Sequence, residues 1–505
     1  MKTAARALLI ATMIGSGAAV ALRAWGAAST HSPMNAEGIF GAAAILLMLL
    51  SSMDRPHEAE SRSVLDGPVF AVLAVLVAAA YGRVAGSYFL SDDFILLRHA
   101  HEYGETVWHT FTHGGGDGFF RPLIYLSVAL TEPWAGANPW AWHLPALALH
   151  AVNSWLVFAA ARSLGYDRFT GGFAAALFAV HGTRPETVVW ITGRFDLLAT
   201  FFALLALVLF LRRWPWLALL ATVLGMLCKE SAYAIPLMLA VVAFTGKDRR
   251  VRPLIPFFVV AAAMFAYRWM LVGGVGGYVD RTGRPEVFQA TLLPVLKTFG
   301  MRLWAVLFFP VDWAIPPGIF VAAVAVVFVA AAVLIARAPL ARRDLALGLG
   351  LIIVTALPTF HRLLIGPDLE KARYLYLPSL GLCLLLAAAA ERLPNQFRWV
   401  TAAAVILFNL AALEHNLTAW QSASRKTESA CQAGAAAVRS PSDRIAVVGL
   451  PRILNGVYFF QNGFPECVAM HAHIDPGNIV VSDRAPDQPG FSTVLFWNAA
   501  TGELR

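Results

Sequence analysis

Two adjacent carboxylates, Asp92 and Asp93, follow directly on an apolar run that extends from about Pro68 to Leu90. Acids at the mouth of a membrane helix are costly unless they hold a ligand or take a proton. Read alone, an Asp-Asp pair is equally a solvated cap on the next helix. The weight shifts because further ionisable residues gather near the ends of later apolar runs. The stretch 181–196 puts His181, Arg184, Glu186, Arg194 and Asp196 into one short turn, and Lys229-Glu230-Ser231 sits between the next two runs. Arg121 follows the flexible Gly114-Gly115-Gly116, and His361, Arg362, Glu370, Lys371 and Arg373 crowd a later boundary. Arg and Lys at such a boundary suit a phosphate or pyrophosphate at the membrane surface. A carboxylate beside them is placed to take a proton from an acceptor hydroxyl. Together these parts suit transfer of a group from a lipid-linked phosphate, with the apolar tail left in the bilayer.

The elements that must position these residues are membrane helices. Of the 505 residues, 58% are hydrophobic and only 14% charged, and the mean hydropathy is +0.63. Soluble domains carry roughly 25% charged residues, so the composition implies an all-α polytopic membrane protein. The net charge of +8 does not point to nucleic acid. Its Arg and Lys fall in short loops between apolar runs, such as Arg162/Arg168, Arg212/Arg213 and Arg392/Arg398. All these loops lie on one side if the N-terminus is inside, which fixes orientation. Apolar runs at about 4–22, 38–52, 68–90, 141–161, 170–182, 194–211, 214–228, 232–245, 253–272, 317–337, 345–360, 373–391 and 399–413 give about 13 spans. The first is read as a retained helix rather than a signal peptide, because the second returns across the membrane. The run 290–309 is read as re-entrant or membrane-lying.

Three regions follow: two extra N-terminal helices and a linker over 1–66, a membrane core over 67–415 with a long first outer loop at 91–140, and a small extracytoplasmic α/β domain over 416–505. In the last, 417–440 reads as helix and 444–450, 456–460 and 492–497 as strands. Cys228 and Cys383 lie in apolar runs and read as packing residues. Cys431 and Cys467 lie in the polar tail and can pair if it is extracytoplasmic. The expected location is a bacterial inner (cytoplasmic) membrane, with the N-terminus inside and the C-terminal domain outside.

Ser91-Asp92-Asp93-Phe94, Phe120-Arg121-Pro122-Leu123, and His143-Leu144 with His150-Ala151-Val152-Asn153 resemble the first outer loop and second core helix of GT-C glycosyltransferases. The likeness is to the protein O-mannosyltransferase-like branch that includes the transmembrane and tetratricopeptide-repeat proteins. His181 through Asp196 resembles that branch's His-Pro-x-His-x-Glu-Ala-Val-x-x-Ile-x-Gly-Arg-x-Asp motif. Lys229-Glu230-Ser231 resembles its Lys-Glu-Ser, and Arg373 through Gly381 its Arg-Tyr-Leu-Tyr-x-Pro-Ser-x-Gly. The resemblance covers about residues 68–425 and implies a GT-C-like helix bundle. It implies an inverting transferase that moves a sugar from a polyprenyl-phosphate-linked donor to a protein hydroxyl, lipid or glycan acceptor at the outer face. By carry-over, Asp92 or Asp93 is the catalytic base, with Asp92 favoured by family position. Arg121, Arg194, Lys229 and Arg373 are the donor-phosphate candidates. His181, Arg184, Glu186, Asp196 and Glu230 are left to orient the acceptor or support the loops.

This chain departs from the motif in three ways. The second His is Arg184, the acid usually before the Arg-Tyr-Leu-Tyr motif is Ala372, and the tail from about 440 reads as a different small domain in place of tetratricopeptide repeats. A divalent cation, Mg²⁺ or Mn²⁺, has Asp92 and Asp93 as its candidate ligands. His99, His101, His109 and His113 are spaced too loosely for a metal site and read as solvated loop residues. The competing readings are a transporter or flippase of lipid-linked sugars, which would place its ionisable residues near the midplane of mirrored repeats, and a non-catalytic scaffold displaying the tail.

Overall fold

The computed structural model describes residues 66–113, 118–246, 251–279, 284–316, 318–336, 340–363, 365–484 and 490–505. The spans expected at 4–22 and 38–52, and nearly all of the linker to 66, lie outside these residues. The chain is a polytopic helical membrane protein with a small C-terminal α/β unit. Among the described residues five helices are long and apolar enough to cross a membrane.

Local chemistry sets the helix starts. In α1 (Gly67–Tyr81) the Asp66 side chain accepts from the Val69 N–H, with Pro68 in the first turn. In α4 (Pro139–Ser163) Asn138 accepts from Trp140, and in α5 (Arg168–Val180) Asp167 accepts from Thr170. Each satisfies a donor that a helix N-terminus leaves orphaned. The bundle continues through the short α6 (Pro185–Val188), α7 (Arg194–Leu211), α8 (Pro215–Met226), α9 (Ile235–Thr245) and α10 (Ile255–Val272). Outward faces stay apolar. On α10, Phe258, Val259, Phe265, Trp269 and Met270 are all exposed, which suits contact with lipid.

The run at 290–309 forms α11 (Leu292–Lys297) and α12 (Leu303–Phe308), joined by a π turn at Thr298–Arg302. Leu292, Leu293 and Leu296 are exposed, while Leu303 and Leu307 are buried. Then come α13 (Ile319–Ala336), α14 (Arg342–Ala356), α15 (Ser379–Glu391) and α16 (Asn395–Ala436). Helices α14 and α15 meet at Gly348 and Gly381, where a Cβ on Gly381 would collide with the Gly348 carbonyl oxygen. Small residues are what allow such backbone approach in a membrane bundle.

Two expectations are corrected. The first outer loop, in which only the stretch 123–130 reads as helix from the sequence, is mostly helix: α2 (Asp92–His113) and α3 (Pro122–Ala135), which contains that stretch, pack on each other. The mixed polarity of α2 hid it from a search for apolar runs. The separate helices expected at 399–413 and 417–440 are the single 42-residue α16. The boundary drawn at 415/416 therefore falls inside a continuous helix. Apolarity stops near Leu413, but helix-forming Ala, Gln, Glu and Lys carry the backbone on.

Beyond α16, β1 (Ile445–Val448) pairs in parallel with β4 (Ile479–Ser482) and β5 (Thr493–Asn498), and β6 (Glu503–Leu504) pairs antiparallel with β5. The sheet order is β4-β1-β5-β6. A hairpin of β2 (Ile453–Leu454) and β3 (Val457–Tyr458) turns at Asn455-Gly456, both with positive φ, as a two-residue hairpin turn requires. Helix α17 (Phe464–His471) was not foreseen; it carries Cys467, which is disulfide-bonded to Cys431 on α16 with the Cα atoms 5.6 Å apart.

Candidate active site

The acid pair stands at the start of α2, after an extended segment that leaves α1. Ser91, immediately before it, has φ +47°, a left-handed conformation that costs a non-glycine residue roughly 1–2 kcal/mol. The two acids are treated differently. Asp93 is buried: its Oδ2 accepts from the Leu90 N–H at 3.0 Å, and its Oδ1 accepts from the Thr192 N–H at 3.0 Å and the Thr192 hydroxyl at 2.8 Å. Trp190 Nε1 donates to the Leu90 carbonyl at 3.1 Å. The acid-bearing segment is thus stapled to the 190–194 turn. Burial pushes the Asp93 carboxyl up to about 7, against the pull of these hydrogen bonds. Asp92 is half-buried and accepts one hydrogen bond, from Asn462 Nδ2 at 2.8 Å.

The cationic residues form two ion-paired groups, one around Glu230 and one around Asp196 and Glu186, and Arg362 pairs separately with Glu286. Arg121 grips Glu230 with two hydrogen bonds, Nη2 to Oε2 at 2.7 Å and Nε to Oε1 at 3.3 Å, and Arg268 reaches the same carboxylate at 3.4 Å. Lys229 Nζ lies within 2.6 Å of both Asp196 oxygens. Arg373 pairs with Glu186 through its side chain and also through its backbone N–H, and its Nε is 4.0 Å from Asp196. These carboxylates therefore hold the cations in place.

A cavity of about 270 Å³ opens between these groups, lined among others by Arg121, Lys229, Glu230, Arg268, His361, Arg362, Tyr278 and Tyr374. Four fixed cations face one carboxylate there. Several polar atoms on its lining are buried without a protein partner: Tyr233 OH, Arg268 Nε, His361 Nδ1 and Arg362 Nε. Buried polar groups left without a protein partner call for water or a ligand, and the four cations on the lining favour an anionic one. Burial pushes the Tyr374 phenol up, but Arg373, Lys229 and Arg362 pull it below its ordinary value. Burial pushes the Tyr278 phenol up, although Arg121 and Arg373 pull it down. The acid-bearing segment is tied toward this wall through Trp190, whose ring carries the Arg373 guanidinium 4.9 Å from its centre.

The structure sorts the sequence candidates. Arg121, Lys229 and Glu230 line the cavity, and Arg373 stands against Tyr374, its guanidinium 4.9 Å from the ring centre. Arg194 does not line it. That guanidinium is buried and donates to Thr131 Oγ1 at 2.9 Å and the Ser127 carbonyl at 3.2 Å. His181 and Arg184 lie in the core. His181 bonds the Leu307 carbonyl and the Thr183 hydroxyl. Arg184 donates to the Phe178 carbonyl and to Ser379 Oγ, over the rings of Phe178 and Tyr376. Arg268 and Asn462 were missed. Arg268 had a signal, a lone charge inside the apolar run 253–272; Asn462 had none. For a divalent cation, Asp93 Oδ1 is already filled by two donors, and no three His, Cys, Asp or Glu converge on a metal-binding set among the described residues.

No protein-family model matches the chain. The "Protein O-mannosyl-transferase Tmtc1" of Drosophila melanogaster is 38% identical over 133 residues, 25% of this chain and 16% of that protein. The chain is similar to the protein O-mannosyl-transferases. "Protein O-mannosyl-transferase Tmtc2" of the same fly is 35% identical over 182 residues, 31% of this chain and 19% of its own length, and human TMTC2 is 31% identical over 171 residues, 29% and 20%. The likeness expected from the motifs, to the protein O-mannosyltransferase-like branch, is borne out by these relatives. The chain spans no more than about a fifth of their length. A solved structure, ArnT from Cupriavidus metallidurans bound to undecaprenyl phosphate, aligns with 82% of this chain and 89% of its own at 14% identity, with a TM-score of 0.44. That score is too low to carry an argument.

Proposed function

We propose that the protein is a membrane glycosyltransferase that moves a sugar from a polyprenyl-phosphate-linked donor to a hydroxyl acceptor at the extracytoplasmic face. The observation that carries this reading is the cavity with four cations on its lining, together with the tie from the acid-bearing segment through Trp190 to Arg373, which packs on the cavity residue Tyr374. The donor's phosphate lies among Arg121, Lys229, Arg268 and Arg362, with its prenyl tail in the bilayer. Asp92 is the base. It is half-exposed and has lone pairs to spare, whereas Asp93 is committed to Leu90 and Thr192.

The step is a single displacement. The acceptor oxygen forms a bond to the anomeric carbon as the bond from that carbon to the phosphate oxygen breaks. The acceptor proton passes to Asp92, and the released phosphate keeps the electron pair. Negative charge grows on that phosphate, so preorganised cations stabilise the transition state more than the ground state. The names of the similar proteins make mannose the first sugar to try and a protein hydroxyl the first acceptor. The test is purified protein in liposomes, given radiolabelled polyprenyl-phosphate sugars one at a time with a panel of hydroxyl acceptors. A new glycosidic bond supports the reading. Movement of the labelled lipid across the bilayer with no bond formed would replace it with transport.

A further inference from the structure

The C-terminal unit touches the acid-bearing segment from Tyr88, which bonds His471, to Arg98, which pairs with Glu466, and one of its contacts is with the Asp92 carboxylate. The strained Ser91 donates its N–H to the Phe459 carbonyl at 3.1 Å, and its hydroxyl accepts from the Asn462 N–H at 3.3 Å. Asn462 Nδ2 then donates to Asp92 Oδ1 at 2.8 Å. Gly463, with φ +85°, sits so close to the Ser91 carbonyl that a Cβ would overlap it; its backbone conformation and the close approach both require glycine. Phe460 stacks on Phe94, three residues after the strained position, with ring centroids 6.2 Å apart. Four residues beyond Gly463 the disulfide from Cys467 ties this turn to α16, a bundle helix.

We propose that the Asn462-Gly463 turn is a positioning clamp for the acid pair, so that the C-terminal unit completes the active site. The proposal rests on the catalytic reading above. A half-exposed Asp at a helix start has several rotamers open to it. The clamp removes that freedom by fixing one carboxylate oxygen and leaves the other for the proton. A neutral amide suits the task, because Arg or Lys in its place would hold the carboxylate equally well but make it a poorer base. The hydrogen bonds that Ser91 donates to the Phe459 carbonyl and accepts from the Asn462 N–H also hold Ser91 in a conformation the segment would otherwise leave. Asn462 is thus a positioning residue that acts through Asp92.

The test uses the full chain in liposomes with Asn462→Ala and Asn462→Asp. The second keeps the shape, removes the donor and sets a like charge against Asp92. Misplacing a catalytic group by an ångström lowers rates on the order of 100-fold, so kcat should fall about tenfold in the Ala variant and about 100-fold in the Asp variant. The donor KM and the melting temperature should stay at their wild-type values. A merely structural role would move melting and KM together with kcat, and that result, or wild-type kcat in Asn462→Asp, overturns the clamp. Should the wild type transfer no sugar at all, the catalytic reading fails, and the clamp is judged by labelling of Asp92 with a water-soluble carbodiimide, followed by mass spectrometry. Labelling several times faster in Asn462→Ala supports the clamp, and unchanged labelling overturns it.

Discussion

Lys229 Nζ lies 2.6 Å from each carboxylate oxygen of Asp196, and both side chains are almost wholly buried. One partner starts α7 and the other follows α8, so the pair locks two helices at the end of the bundle where the cavity opens. Removing one partner leaves a buried charge unmatched, which costs about 3–5 kcal/mol. Lys229→Met should lower the melting temperature sharply. The double variant Lys229→Met/Asp196→Leu should recover most of that loss yet transfer poorly, since a cavity cation is gone. Melting and transfer assays on the three proteins check this.

The raised Asp93 carboxyl gives a pH signature. Its folded value of about 7 exceeds an unfolded value near 3.9. Between these limits the folded state binds more protons than the unfolded one, so this group's contribution to stability falls as pH rises from about 4 to about 7 and is flat above. Replacing Asp93 with Asn removes that dependence. Thermal melts of wild type and Asp93→Asn across pH 4–8 should therefore differ in slope below pH 7 and run parallel above it. Asp93→Asn also turns an NH₂ toward one of the present donors, at about 1–3 kcal/mol for the unsatisfied group.

Arg268 and Arg362 line the cavity and each has a buried Nε without a partner. Hydrogen bonds to charged groups contribute about 1.5–3 kcal/mol, so Arg268→Gln and Arg362→Gln should each raise the donor KM about 10- to 100-fold. Steady-state kinetics with varied lipid-linked donor at fixed acceptor measures this. A change confined to the acceptor KM would move the phosphate away from these residues.

Much of the framework was legible in the chain. Apolar runs located α4, α7 and α10 to within a few residues, because a membrane leaves helices little freedom in length or composition. The acid pair, the 181–196 stretch and Lys229-Glu230 were legible as charges near span ends. Their partners were not. Arg121 with Glu230, and Arg373 with Glu186, are joined across 109 and 187 residues, and only folding decides that such cations are held by protein carboxylates. Helix α2 was lost because its polarity is mixed, and α16 was divided because apolarity and helicity end at different residues. The contact of Asn462 with Asp92 spans 370 residues, and no local pattern announces it.

The most direct test is the rate of glycosidic bond formation by Asp92→Asn in liposomes, beside wild type at saturating donor. A base that is lost from the reacting oxygen costs about 100- to 10,000-fold. We expect a loss in that range with unchanged melting and unchanged donor KM, since Asn keeps the shape and can still bond to Asn462 through its carbonyl oxygen. Transfer at the wild-type rate would contradict the assignment and take the catalytic role away from Asp92.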